Sequence, residues 1–270
     1  MGQLAAPGLM RIGANDLEYR MVGPAPAQAP TLVLLHEGLG SIALWRDFPE
    51  RLAAATRTGV LAYSRAGYGA STPAALPRPL TYMHDEALDV LPRVLETAGI
   101  RRGLLVGHSD GASIAALHAG RVRDERIAGI SLIAPHFFVE DVSVASIRDA
   151  KAAYETGGLR EKLARWHGDV DCAFRGWCDA WLDPAFRDWD ISDALADICV
   201  PIQIIQGSED QYGTLRQIRA AEERCGCPPE VRILPGIGHS PHREAPDATL
   251  AAIADFVGRV LASSHPRAAR

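Results

Sequence analysis

Leu104 to Ser113 reads LLVGHSDGAS, an apolar run that ends in Gly-His-Ser-Asp-Gly and passes straight into small, helix-compatible residues. An apolar run of this kind suits a buried strand, and the residues after it suit a helix. Ser109 then falls on the sharp turn between the two, a setting that leaves its Oγ exposed. Gly107 and Gly111 fit the same turn. Strand and helix backbones pass close there, and a Cβ at either position would clash. The helix N-terminus behind Ser109 offers free N–H groups and a positive dipole end, both suited to a developing oxyanion.

A serine hydroxyl needs a base to become a nucleophile. The stretch LPGIGHSPHRE supplies His239 just after the last apolar run, and IIQGSEDQYG supplies Asp210 at the end of the run before it. An imidazole takes and returns a proton near neutral pH, and an acid fixes its tautomer. His242 competes as base, but Gly236 and Gly238 favour His239. Glu209 competes as acid. A metal site of His239, His242 and Glu244 lacks further ligands. Two N–H donors are needed for an oxyanion. One is expected from Asp110, the other from LLHEGLGS (34–41), with Gly38 first and Leu39 second.

The other strand candidates are 31–36, 59–64, 127–135, 200–207 and 231–236, all nearly continuous apolar runs. Strands buried on both faces of a parallel sheet read this way. Helical patterns over 45–56, 84–99, the stretch after Ser109 and 247–262 alternate with them, which argues for βαβ crossovers and an α/β fold. Residues 9–23 read as a hairpin around Ala14-Asn15-Asp16, followed by a Pro/Ala loop. Residues 139–199 break the rhythm: helix formers dominate, and Trp166, Trp177, Trp181 and Trp189 fall here. We read a helical cap over 139–199 inserted between two parts of a core, 1–138 and 200–270. Each tryptophan is either core packing of that cap or a ligand contact.

The bulk composition is ordinary for a globular chain, at 47% hydrophobic and 23% charged. With a formal net charge of -5 and scattered basic residues, no nucleic-acid-binding face is expected. The five cysteines form no C-x-x-C pair, so free thiols in a reducing compartment are expected rather than a disulfide framework or a zinc site. The opening MGQLAAPGLMRIG has no signal-peptide pattern, and Ala6 stands where a myristoylation signal needs Ser or Thr. No apolar run approaches the roughly 18 residues of a membrane helix. A cytoplasmic protein is expected, with a small-molecule substrate, no membrane partner and room for a homodimer.

With these motifs in order, the chain resembles the α/β-hydrolase superfamily, above all its capped branch of small esterases, lactonases and meta-cleavage-product (C–C) hydrolases. LLHEGLGS, SRAGYGAS, VGHSDG, QGSEDQYG and GIGHSPHRE carry the resemblance along nearly the whole chain. It implies an eight-stranded, mostly parallel sheet with a helical lid after the sixth strand. It also implies nucleophile Ser109, acid Asp210, base His239 and no cofactor. Three positions depart from the family pattern. Glu37 interrupts the usual His-Gly, Asp110 follows the nucleophile, and Ser64-Arg65 replaces an expected aspartate.

An unpaired carboxylate beside an oxyanion hole would oppose oxyanion formation. Glu37 or Asp110 is therefore expected to be paired, with Arg65 and His136 the nearest candidates. Alternatively one of them is protonated, or binds a donor group on the substrate. The aromatic residues Trp166, Phe174, Trp177, Trp181, Phe186 and Trp189 suggest an apolar or aromatic acyl group. Arg148, Lys151, Arg160 and Arg165 either greet a carboxylate or a CoA phosphate or form a solvated helix face. Substrate contacts are thus expected from Glu37, Arg65, His136, Trp166, Trp177 and Trp181.

The leading expectation is a serine hydrolase of small esters or lactones. A C–C hydrolase or a thioesterase with the same triad is the alternative. A non-catalytic binding member of the fold comes behind both.

Overall fold

The computed structural model describes residues 7–263. Ala6, and most of the stretch on which the lipidation reading rests, lies outside them. The chain opens with a hairpin, β1 (Gly8–Ile12) and β2 (Asn15–Val22), that turns at Gly13-Ala14, one residue earlier than the sequence suggests. Next come β3 (Thr31–Leu35), α1 (Phe48–Thr56) and β4 (Gly59–Tyr63). α1 starts with Pro49 in its first turn and stops at Arg57, whose φ of 57° is left-handed. A helical stretch then runs through α2 (Tyr82–Asp85), a π turn and α3 (Leu91–Thr97), the π turn falling just before Pro92. Proline has no N–H for an α-helical ladder, and a widened turn accommodates it.

β5 (Gly103–His108) leads into α4 (Asp110–Leu117), and β6 (Ile127–Ile133) follows. The interval predicted to be helical holds α5 (Asp141–Thr156), α6 (Leu159–Leu163) and α7 (Val170–Leu182), then two short 3-10 turns. β7 (Ile202–Gly207), α8 (Leu215–Arg224), β8 (Glu230–Leu234), α9 (Pro241–Glu244) and α10 (Pro246–Ser263) complete the chain.

The eight strands form one sheet in the order β1-β2-β4-β3-β5-β6-β7-β8. From β4 to β8 every pairing is parallel, and the β1–β2 hairpin is antiparallel at one edge. The apolar strand runs are explained by burial on both faces. Val33, Leu35, Leu61 and Leu105 point into one core, which continues into Phe174, Trp177 and Trp181 of α7. Leu32, Leu34, Val60 and Val106 point into the other, beneath α1 and α10. The chain reverses direction across the sheet at β3, whose neighbours are β4 on one side and β5 on the other. Open α/β sheets place their ligand crevice at the carboxyl ends of strands around such a reversal. Glu37-Gly38 and Ser109 lie just past the ends of β3 and β5. Among the described residues, no helix is long and apolar enough to cross a membrane.

Candidate active site

Ser109 occupies the turn between β5 and α4 with φ 54° and ψ -118°. A non-glycine residue holds such a conformation only when its surroundings impose it. The surroundings are two glycines. A Cβ at Gly107 would land on the Gly111 carbonyl, and one at Gly111 would land on the Leu35 carbonyl. The Ser109 N–H is held by the Ile133 carbonyl at 2.9 Å, which ties the turn to β6.

His239 Nε2 lies 2.9 Å from Ser109 Oγ. Its Nδ1 faces the Asp210 carboxylate at 2.9 and 2.8 Å. A carboxylate only accepts, so Nδ1 carries the proton and Nε2 is left to accept from the serine hydroxyl. Asp210 is itself fixed by N–H donors from Tyr212 (2.7 Å), Gly213 (3.2 Å) and the Gln206 amide (2.7 Å). Burial would raise the Asp210 carboxyl, but the hydrogen bond and charge of His239 outweigh it and hold it below its ordinary value. The loop carrying His239 is braced by Glu244, which accepts from the N–H groups of Gly238 (2.8 Å) and Ser240 (2.9 Å).

The rival readings separate cleanly in space. Glu209 is exposed and meets Ser208. His242 is buried against Trp45 and His108. Among the described residues no cluster of His, Cys, Asp and Glu is arranged to hold a metal ion.

A cavity of about 150 Å³ opens over Ser109. The β3–α1 loop contributes Glu37, Gly38 and Leu39, and the helical segment contributes Ser143, Ile147, Trp177 and Trp181. Trp177 and Trp181 stand four residues apart on α7 and so share one helix face. Gly38 packs so closely on the Trp177 indole that a Cβ would overlap it. A larger groove of about 630 Å³, lined by Arg187, Arg216, Arg219 and Arg224 among others, lies elsewhere and contains none of the three residues above.

The two unusual carboxylates are both partnered, and Arg65 faces Asp110 as the sequence suggests. Asp110 is completely buried. Its Oδ2 accepts from Tyr82 Oη at 2.5 Å and lies 4.0 Å from Arg65. Tyr82 Oη in turn accepts from Trp181 Nε1 at 3.0 Å. Burial raises the Asp110 carboxyl above its ordinary value, with the Arg65 charge and the Tyr82 hydrogen bond opposing. Glu37 Oε2 lies 3.5 Å from Nδ1 of His108, whose Nε2–H donates to the His239 carbonyl at 2.8 Å. Burial would raise Glu37 too, but its interaction with the facing His108 outweighs this and holds it well below the usual carboxylate range.

His136, expected as a partner, pairs with neither. It lines the cavity beside His239 and Trp181, and burial followed by the His239 charge lowers it to about 3.

Two expected substrate contacts are corrected. Arg65 does not line the cavity. It lies behind it, 1% exposed, donating to the carbonyls of His36 (2.5 Å) and Glu37 (3.0 Å). A buried guanidinium needs acceptors, and the loop carbonyls supply them. Trp166 is 39% exposed on the connection between α6 and α7, outside the helical period that turns Trp177 and Trp181 inward. Tyr212, His108 and Ser143 line the cavity and were missed. Tyr212 had one signal, its place two residues after Asp210. His108 had one too, as the residue before Ser109.

Residues 32–252 match the alpha/beta hydrolase family. No curated protein matches the chain. Among solved structures it is similar to proline iminopeptidase of Mycobacterium smegmatis, with a TM-score of 0.74 at 19% identity, covering 96% of this chain and 100% of that one. It is also similar to the enol-lactonase of Burkholderia xenovorans, with a TM-score of 0.72 at 22% identity over 93% and 99% of the two chains. A carboxylesterase of the thaumarchaeon Nitrososphaera gargenis gives 0.74 at 20% over 95% and 100%. At such identities these likenesses carry the fold alone. The family match spans most of the sequence and includes Ser109, Asp210 and His239, and the chain belongs to the alpha/beta hydrolase family.

Proposed function

We propose that the protein is a serine hydrolase of small carboxylic esters or lactones, acting through an acyl-enzyme on Ser109. The observation that carries this reading is the continuous hydrogen-bonded line from Ser109 Oγ through His239 to Asp210, with the serine on a strained turn at the floor of a cavity. Ser109 Oγ attacks the substrate carbonyl while His239 Nε2 takes its proton. Asp210 keeps the imidazole in the required tautomer and stabilises its cation. The tetrahedral oxyanion is met by the backbone N–H groups of Asp110 and Gly38. The Asp110 N–H is the first of α4 and has no helical carbonyl to bond.

Collapse expels the alkoxide, which receives the proton from His239 and leaves as the alcohol. Water then attacks the acyl-enzyme, giving a proton to His239. The second collapse returns that proton to Ser109 and frees the acid. Residues 139–199 act as the cap, supplying the aromatic wall opposite the serine.

The test is hydrolysis of a short-chain aryl ester by wild type and by Ser109→Ala. Wild type is expected to turn the ester over, and the variant to lose about 10⁴-fold or more in kcat. Equal rates in the two proteins would remove Ser109 from the reaction.

A further inference from the structure

The Glu37 carbonyl collects three donors. Arg65 Nη2 reaches it at 3.0 Å, His36 Nδ1 at 2.7 Å and the Gly40 N–H at 3.1 Å. Burial keeps the His36 ring neutral, and its Nε2 accepts from the Arg65 N–H at 3.0 Å, so Nδ1 carries the proton. Arg65 Nη1 holds the neighbouring His36 carbonyl at 2.5 Å. The peptide joining Glu37 to Gly38 is trans, so its C=O and its N–H point in opposite directions. Fixing the carbonyl therefore fixes the Gly38 N–H. Arg65 lies behind the cavity and Gly38 lines it, so that N–H is aimed away from the guanidinium, on the cavity side. Among the described residues it bonds no acceptor. The same guanidinium faces the other half of the hole. Arg65 Nη2 lies 4.0 Å from Asp110 Oδ2, and the Asp110 N–H begins α4. The three positions that depart from the family pattern thus meet at one buried side chain.

We propose that Arg65 is the positioning residue of the oxyanion hole: it orients the Gly38 N–H through the Glu37 carbonyl and offsets the Asp110 charge beside the second N–H. Arg65 does not line the cavity, so it acts wholly through these two residues. Without it the Glu37–Gly38 peptide loses its charged anchor, and a buried carboxylate is left to oppose the oxyanion. The task needs a planar fork, because two carbonyls and a carboxylate are met from one side chain. Lysine keeps the charge and lacks the fork. The proposal rests on the serine-hydrolase reading for its oxyanion, but it can be tested apart from ester turnover.

Replacing the carbonyl oxygen of an ester by sulfur reads the hole directly, since sulfur accepts hydrogen bonds weakly. Phenyl butyrate and its thionoester are compared in wild type and in Arg65→Lys. In the variant, kcat/KM for the oxygen ester should fall about 10²-fold, the scale of one misplaced donor, and the preference for oxygen over sulfur should shrink by about tenfold or more. Damage to the fold or the triad lowers both rates alike, so an unchanged preference would overturn the proposal. The double variant Arg65→Met/Asp110→Asn removes both buried charges and leaves neither unpaired. The same reduced preference is expected there, and a wild-type preference would overturn the proposal. This variant carries the decision if Arg65→Lys fails to fold by circular dichroism. If wild type hydrolyses neither ester, the ester reading fails. The preference is then read from labelling of Ser109 by a dialkyl aryl phosphate and its P=S analogue, followed by mass spectrometry, which needs the same N–H donors and no acyl substrate. A Ser109 that neither compound labels would overturn the proposal too.

Discussion

Ser109 is one of a few non-glycine residues held at positive φ, and it is the one whose hydroxyl meets a histidine. That turn stores strain only because Gly107 and Gly111 let β5, α4 and the end of β3 approach so closely. His136, beside His239, makes a second residue-level point. Its proton is bound only near pH 3 when folded, against an ordinary 6.5, because burial and the His239 charge disfavour its cation. Between those values the unfolded chain binds the extra proton, so this residue's contribution to stability is complete above 6.5 and falls as pH drops toward 3. His136→Gln is therefore expected to flatten the acid limb of stability by a few kcal/mol, on the order of the shift converted at about 1.4 kcal/mol per unit. Urea midpoints of both proteins across that window would check it, and parallel curves would refute it.

The site is built where elements meet rather than within any one of them. The β3–α1 loop, the β5–α4 turn and the loop before α9 each supply one part. His108 links all three, ending β5, facing Glu37 and donating to the His239 carbonyl. Arg65, just past β4, pins the β3–α1 loop from the other side. The loop also rests on α7, where Gly38 touches the Trp177 indole. Gly38→Ala should therefore push the loop away from α7. We expect a loss of about 10²-fold in kcat, the scale of one displaced oxyanion donor. We also expect a destabilisation of about 1–3 kcal/mol from overpacking. Adding Trp177→Phe, which shrinks the opposing ring, should recover part of both. No recovery in either kcat or the urea midpoint would show that the contact is not the cause.

At the scale of the whole molecule, the helices of residues 141–182 are not an independent body. Their buried aromatics belong to the same core as one face of the sheet. Trp181 is further tied through Tyr82 to Asp110, the first residue of α4. Four of the five tryptophans fall in residues 139–199, which contain these helices, so tryptophan fluorescence reports chiefly on that interval, while far-UV circular dichroism reports on all elements. The two signals should give coincident urea transitions, as one cooperative unit requires. An earlier fluorescence transition would mean that the helical interval unfolds alone.

By itself the sequence determined the alternation of buried strands and helices, the parallel sheet and the order Ser109, Asp210, His239. Those are local signals: apolar runs, glycines where backbones touch, polar residues at strand ends. Side-chain partners across distant segments were not legible in the same way. Nothing near Glu37 in the chain points to His108, and nothing near Asp110 points to Tyr82. The same holds for the orientation of Trp166 and for Arg65, which reads as a substrate contact until the fold turns it toward the carbonyls of residues 36 and 37. Tertiary structure decided these because burial makes an unpaired polar atom costly, so packing that brings a partner within reach is favoured regardless of separation along the chain.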